Sequence, residues 1–106
     1  MSDAQTEYDK LVNKLTATAL AEPGQMFGKA CLKINGKAFV ALHKETVVFK
    51  LTGDAHAKAI ALADAVLWDP SGKGRPMKEW VVLGAAHGKK FPTLAQAALE
   101  YVQARV

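Results

Sequence analysis

The stretch that decides the fold is Met26–His43, MFGKACLKINGKAFVALH, in which Asn35 and Gly36 separate two runs of β-forming residues. Asn-Gly between such runs predicts a β-hairpin, because a type I′ turn needs positive φ at both central residues. With a two-residue turn, the expected cross-strand pairs are Ile34 with Lys37, Lys33 with Ala38, Leu32 with Phe39, Cys31 with Val40, and Ala30 with Ala41. The Leu32–Phe39 side is expected to face the core, and the Cys31–Val40 side to face away from it.

The third run of the same region is Thr46–Leu51, TVVFKL. A three-residue connection before it would place Val47, Phe49 and Leu51 on the core face and Lys50 on the other. A two-residue connection would reverse this parity and bury the Lys50 ammonium, which is costly without a partner. We therefore expect either an odd-numbered connection or a β-bulge, and a three-stranded antiparallel meander.

A helix over residues 3–20 is predicted to precede the meander. Its apolar residues recur at spacings of three and four, which places them on one stripe: Tyr8, Leu11, Val12, Leu15, Ala19 and Leu20. Ser2 with Gln5 could form a capping box at its start. Pro23-Gly24 is expected to end the helix.

The rest of the chain predicts, in order, a short helix over 54–63, strands at 65–68 and 77–83, and a closing helix over 92–106. Thr52, Gly53 and Asp54 offer caps for the short helix, and Thr93 with Gln96 a second capping box. The order α-βββ-α-ββ-α is typical of an α+β fold in which helices pack on an antiparallel sheet. No linker or repeat interrupts residues 1–106, so a single domain is expected.

Composition bounds the class of protein. The chain has 106 residues, of which 50% are hydrophobic and 23% charged, as in globular domains. No apolar run approaches the roughly 18 residues of a membrane span, so no membrane contact is expected. The first residues, MSDAQTEYDK, are acidic and polar, which predicts no secretory signal and a cytoplasmic location. The single Cys31 excludes a disulfide within the chain.

The formal net charge of +4 is unevenly distributed along the chain. Residues 26–50 and residues 70–90 each hold five Lys or Arg and one Glu, whereas 1–25 and 51–69 are acidic overall. A basic surface attracts nucleic acid, acidic proteins or anionic membranes. The alternative is a solvated face that keeps the domain soluble.

Four short motifs carry a resemblance to a known family: MFG at Met26–Gly28, GKAF at Gly36–Phe39, VVFKL at Val47–Leu51, and GKGRPM in the loop around Gly74. In this order, over roughly residues 8–103, they resemble the N-terminal domain of the TfoX/Sxy competence-regulator family. The YjbR-like family shares the hairpin and the Lys-bearing strand and remains an alternative. Both imply a secretion-chaperone-like α+β fold.

The resemblance implies a bacterial regulatory or binding domain and carries over no catalytic residue. Full-length regulators of this kind have a second, helical C-terminal domain, whereas this chain ends at Val106. Regulation that depends on that second domain is therefore not implied for this chain, and likeness of fold does not fix function.

The loop 69–76, DPSGKGRP, is the most suggestive candidate site. Its glycines free backbone amides to surround an anion, and its basic side chains add charge. It is not a Walker A loop, because it leads into a strand. The candidate anion- or nucleic-acid-binding residues are Gly72, Lys73, Gly74, Arg75, Lys78, Lys29 and Lys33. The alternative is a flexible connection that its charges keep solvated.

Trp68 and Trp80 flank this loop and are candidates for base stacking or a protein interface. The more frequent role of Trp in a small domain is core packing. Val40 and Val48, on the face expected to lie away from the core, are candidates for a homodimer surface. Cys31 between two lysines could be a reactive thiolate, but a small buried hydrophobe is the favoured interpretation.

Nothing in the sequence predicts a metal site, a cofactor or a catalytic group. The histidines lack metal-ligand spacing, and the acidic residues are scattered. The sequence therefore favours a non-catalytic regulatory or binding domain that acts through protein contacts, with nucleic acid as a second partner class. The alternatives are a small anion- or ligand-binding protein that uses Gly72–Arg75, and an enzyme built on Cys31 or that loop.

Overall fold

The computed structural model of the protein describes residues 4–18, 21–26, 28–62, 64–69, 74 and 77–104. The elements are α1 (Ala4–Thr18), β1 (Glu22–Met26), β2 (Lys29–Ile34), β3 (Lys37–His43), β4 (Thr46–Lys50), α2 (Gly53–Ile60), β5 (Val66–Trp68), β6 (Met77–Gly84), a 3₁₀ segment (Ala85–Lys90) and α3 (Phe91–Ala104). The six strands form one antiparallel sheet in the order β1-β2-β3-β4-β6-β5. The predicted α+β fold is confirmed.

The three helices pack against one face of the sheet, which we call the helix face. Directly paired residues run across it in a row, namely Leu32, Val40, Phe49, Val81 and Leu67. The opposite face carries no helix of the described residues, and we call it the helix-free face. Its own row of paired residues is Gly24, Cys31, Ala41, Val48, Val82 and Val66. Each face holds a separate cluster of buried side chains. No helix in the described part of the chain is both long and apolar enough to cross a bilayer.

The meander has four strands rather than the predicted three, because β1 pairs with β2 along its whole length. Pro23 and Gly24 were expected to end the first helix but lie inside β1, which begins four residues after the last residue of α1. Proline is tolerated there because β1 is an edge strand, on which one side needs no N–H donor. Gly24 gives room to Lys33, whose Cε would lie 3.1 Å from a Cβ at this glycine.

The hairpin turn was predicted correctly, but the register beyond it was not. Asn35 and Gly36 have φ of 53° and 80°, as a type I′ turn requires. The pairs Ile34–Lys37 and Lys33–Ala38 are confirmed, after which Leu32 pairs with Val40 and Cys31 with Ala41. The predicted pairs Leu32–Phe39, Cys31–Val40 and Ala30–Ala41 were therefore wrong. Phe39 is the extra residue of a β-bulge in β3.

The bulge lets Phe39 and its neighbour Val40 both lie in the core under the helices, where each is 0% exposed. It also explains the next strand. The connection between β3 and β4 has two residues, because His43 pairs with Thr46, so the three-residue alternative was wrong. The extra residue of the bulge shifts the in-and-out alternation of side chains by one position. As a result Lys50 faces away from the helices as predicted, beside Trp80.

The outcome at the helix ends is mixed. The short helix begins at Gly53 and ends at Ile60, three residues before the predicted end, and Thr52 makes no side-chain cap. The last helix begins at Phe91, so Thr93 lies inside its first turn and the predicted Thr93–Gln96 capping box was wrong. The predicted Ser2–Gln5 box involves Ser2, which lies outside the described residues.

Candidate functional site

The most promising site in the described structure is a groove on the helix side of the molecule. It lies between α2 and the junction of the 3₁₀ segment with α3, and its volume is about 470 Å³. We call it the lysine groove, and its lining residues are Lys58, Ala59, Leu62, Lys89, Lys90, Thr93 and Leu94. This volume falls within the range of small-ligand and peptide side-chain pockets.

One wall of the lysine groove comes from the end of α2. Ala59 is 1% exposed and fixes the helix against the core, which leaves its neighbour Lys58 directed to solvent. The chain then turns tightly, because the Leu62 backbone N–H donates to the Ala59 carbonyl oxygen at 3.1 Å. Lys58 lies in the last turn of α2, where the helix dipole stabilises a cation.

The other wall comes from the start of α3. Phe91 is fully buried and packs on Phe49, with ring centroids 5.2 Å apart, which fixes this junction on the sheet. Lys89 and Lys90, immediately before Phe91, are exposed at the rim. Leu94, one turn later, is 9% exposed and forms part of the apolar floor.

The lysine groove therefore combines positive charge with an apolar floor. None of the described residues that line it is acidic, so no carboxylate of the wall neutralises the three ammonium groups. This combination favours a ligand or partner that presents acidic groups beside an apolar side chain.

Sequence reasoning missed this site. Lys58 belongs to an acidic segment of the chain, and only Lys89 and Lys90 belong to a basic one. The one available signal was the Lys-Lys pair directly before an apolar helix. That these lysines meet Lys58 follows from the packing of α2 beside α3, which the sequence pattern does not specify.

Described lysines of the two basic segments lie on both sides of the sheet. Lys29 and Lys33 flank Cys31 at spacings of two on the helix-free face, and Lys50 lies on that face beside Trp80. Lys89 and Lys90 lie at the helix side. Lys29 and Lys33 are half-buried, and the Lys33 side chain extends across Gly24.

The predicted glycine-rich site falls largely outside the described residues, which include Gly74 but not Gly72, Lys73 or Arg75. Gly74 has φ of 78°, and its N–H donates to Asp69 Oδ2 at 2.8 Å. A carboxylate of the chain itself thus occupies the one amide of this proposed nest that is described. Lys78 is exposed, and its carbonyl accepts a hydrogen bond from His56 Nε2 at 2.8 Å.

The two tryptophans pack in the interior. Trp68 is 1% and Trp80 5% exposed, and their rings meet edge to face with centroids 5.4 Å apart. Burial of both rings supports core packing over base stacking in a single copy of the chain. Val40 lies on the helix face, contrary to prediction, while Val48 lies on the helix-free face, and both are fully buried.

Cys31 is fully buried, and burial raises the pKa of its thiol although the nearby Lys33 lowers it. A thiol kept protonated is a poor nucleophile, which favours its interpretation as a small hydrophobe. Burial likewise raises the pKa of the Tyr8 phenol above its ordinary value. Among the described residues, no three His, Cys, Asp or Glu side chains are grouped so as to hold a metal ion.

Comparisons with protein-family models, with curated proteins and with solved structures found no match. The function is therefore inferred from the residues and geometry of the chain itself.

Proposed function

We propose that the protein is a non-catalytic binding domain that recognises an acidic, amphipathic segment of a partner protein at the lysine groove. The observation that carries this proposal is the convergence of Lys58, Lys89 and Lys90 around a floor of Ala59, Leu62 and Leu94. Aspartate or glutamate side chains would pair with the ammonium groups, and an apolar side chain would cover the floor.

The apolar floor favours a protein segment over nucleic acid. Phosphate contacts depend on charge, and an aliphatic floor adds nothing to them. An exposed ion pair contributes about 0.2–1 kcal/mol, so three such pairs supply at most about 3 kcal/mol. Micromolar affinity requires about 8 kcal/mol. Burial of apolar side chains on the floor must therefore supply much of the binding free energy.

The expected interaction is weak and depends on salt, as suits reversible regulation. The four motifs that resemble TfoX/Sxy N-terminal domains support a regulatory role in the bacterial cytoplasm. Val40 and Val48 are buried in a single copy of the chain, so they give no support to a homodimer, and we take a partner of another sequence as the occupant.

The proposal is tested with a synthetic amphipathic peptide that carries Glu on one side of a helix and Leu on the other. Its binding is measured by ¹H–¹⁵N chemical-shift changes, which we expect at Lys58, Leu62, Lys90 and Leu94. The variant with Lys58, Lys89 and Lys90 all changed to Gln should bind about tenfold more weakly, as expected for the loss of three surface ion pairs. A peptide with Ser in place of Leu should also bind more weakly.

The matched control changes Lys14, Lys37 and Lys78 to Gln, three exposed lysines outside the lysine groove, and alters the net charge equally. This control should bind as the wild type does. An equal loss in both variants would show attraction by net charge alone and overturn the proposal. Binding of duplex DNA, but not of the peptide, in the lysine groove would overturn it in favour of a nucleic-acid site.

A further inference from the structure

A second cavity lies on the helix-free face, at the end of the sheet where the β3–β4 turn approaches β5. Its volume is about 320 Å³. We call it the histidine cavity, and it is lined by His43, Lys44, Thr46, Val66, Leu67, Trp68, Asp69 and Val82. It shares no residue with the lysine groove.

The apolar walls of the histidine cavity come from the edge of the sheet. Val66 pairs with Val82, so the two side chains lie together on the helix-free face. Val66 is 55% exposed, the largest exposure among the big hydrophobic side chains of the described chain. Covering it would remove apolar surface from water, at about 25 cal/mol for each Å². This wall suits the apolar body of a small ligand.

The opposite wall is cationic. Lys44 lies at the β3–β4 turn with φ of 55° and is exposed to solvent. The ring of His43 lies edge-on to Trp68, with centroids 5.7 Å apart. Its Nδ1 is buried and has no hydrogen-bond partner among the described residues, so no bond at that nitrogen fixes the ring. The Thr46 hydroxyl donates to the His43 carbonyl, which fixes the backbone beneath it.

The charges around the histidine cavity are arranged unevenly. Burial lowers the pKa of His43, and Lys29 and Lys44 lower it further, which disfavours the protonated imidazole in the empty cavity. Lys29 approaches from β2 and Lys44 from the turn, whereas Asp69 follows β5. Asp69 accepts a hydrogen bond from the Gly74 amide, which holds its carboxylate toward the Gly74 backbone. The end of the cavity near His43, where Lys29 and Lys44 approach, therefore attracts an anion.

We infer that the histidine cavity binds a small apolar carboxylate, with the acid group at Lys44 and His43 and the apolar body against Val66 and Val82. The site is new relative to the proposed function, because it does not involve the lysine groove. A bound carboxylate would raise the pKa of His43, since an adjacent negative charge favours the protonated imidazole. Binding and protonation of His43 then favour each other, and affinity increases as the pH falls from 7.5 to 5.5.

The test compares phenylacetate with its uncharged analogue phenylacetamide, which has nearly the same shape. Binding is followed by tryptophan fluorescence, because Trp68 lines the cavity, and by the chemical shifts of His43, Thr46 and Val66. We expect phenylacetate to bind at least threefold more tightly than phenylacetamide at pH 7 and the difference to widen at pH 5.5. Equal affinity for the two compounds, or no shift at these residues with phenylacetate, would overturn the inference.

Single variants separate the two parts of the histidine cavity. Lys44→Gln should weaken phenylacetate about threefold, as expected for one exposed ion pair, and leave phenylacetamide unchanged. Val66→Ser should weaken both compounds, and His43→Gln should abolish the dependence of phenylacetate affinity on pH. Lys37→Gln, directly after the other hairpin turn, is the matched control. The variant with Lys58, Lys89 and Lys90 changed to Gln should bind phenylacetate as the wild type does. The test of the histidine cavity can therefore fail while the proposed function of the lysine groove holds, and the reverse is also true.

Discussion

The centre of the sheet is buried on both faces, but by different means. On the helix face, α1, α2 and α3 cover a central row of large side chains, among which Phe49 and Val81 are fully buried. On the helix-free face, the central row is built from small residues such as Cys31 and Ala41, which are also fully buried. The comparison teaches that, within the described residues, the centre of a face that carries no helix is built from small residues packed with the rings of Trp68 and Trp80.

The largest expected effect concerns the accessibility of the helix-free face. If this face is closed, the Cys31 thiol reacts with a disulfide reagent only when the protein opens. We expect the reaction in the native protein to be at least about a thousandfold slower than in urea-unfolded protein, as for a buried site of a stable domain. Absorbance at neutral pH measures both rates. A native rate close to the unfolded one would show that the helix-free face is open.

A matched pair of valines tests whether the two faces are packed equally well. Val47 lies on the helix face and Val48 on the helix-free face, and both are 0% exposed. Each change to Ala removes two buried carbon groups, so a loss of about 2 kcal/mol in the free energy of unfolding is expected. Urea denaturation measures it. A much smaller loss for Val48→Ala would mean that the helix-free face packs loosely.

The smallest expected effect is a pH dependence of stability at the rim of the helix-free face. The pKa of His43 is lowered in the folded protein, so the unfolded state binds the proton more readily. The stability from this group is present above the unfolded pKa of about 6.5 and is lost as the pH falls below it. We expect His43→Gln to reduce the loss of stability between pH 7.5 and 5.5, and Lys44→Gln to reduce it in part. Urea denaturation measures the free energy of unfolding across this pH range. If it depends on pH as steeply in His43→Gln as in the wild type, the prediction is contradicted.

Local signals allowed much of the fold to be predicted from the sequence. Asn35-Gly36 predicted the hairpin turn, because the required backbone conformation is a property of those two residues. Because burying Lys50 is costly, the sequence predicted either an odd-numbered connection or a β-bulge, but it could not decide between the two or place the bulge at Phe39. Its position depends on how Phe39 fits beneath the helices. The strand β1 was missed because Pro23 and Gly24 resemble a helix stop, and their tolerance depends on the edge position of β1.

The candidate sites were harder to predict, because their residues come together only in the folded chain. Lys58 meets Lys89 and Lys90 because α2 packs beside α3, and neither segment alone signals a groove. The histidine cavity likewise joins the β3–β4 turn to β5, at the far edge of the sheet. The glycine-rich loop carried the clearest local signal, yet its one described amide is already bonded to Asp69.

The bulge in β3 means that this strand contains one residue more than its pairing with β2 requires. Lys33 pairs with Ala38 and Leu32 with Val40, so Phe39 is the one residue between them without a place in the ladder. Deleting Phe39 would join these two pairs into regular antiparallel pairing and leave every later residue on its present face of the sheet. A chain one residue shorter at this point would therefore keep the pairing pattern but lose a fully buried ring, and the loss of such a ring costs about 3–5 kcal/mol.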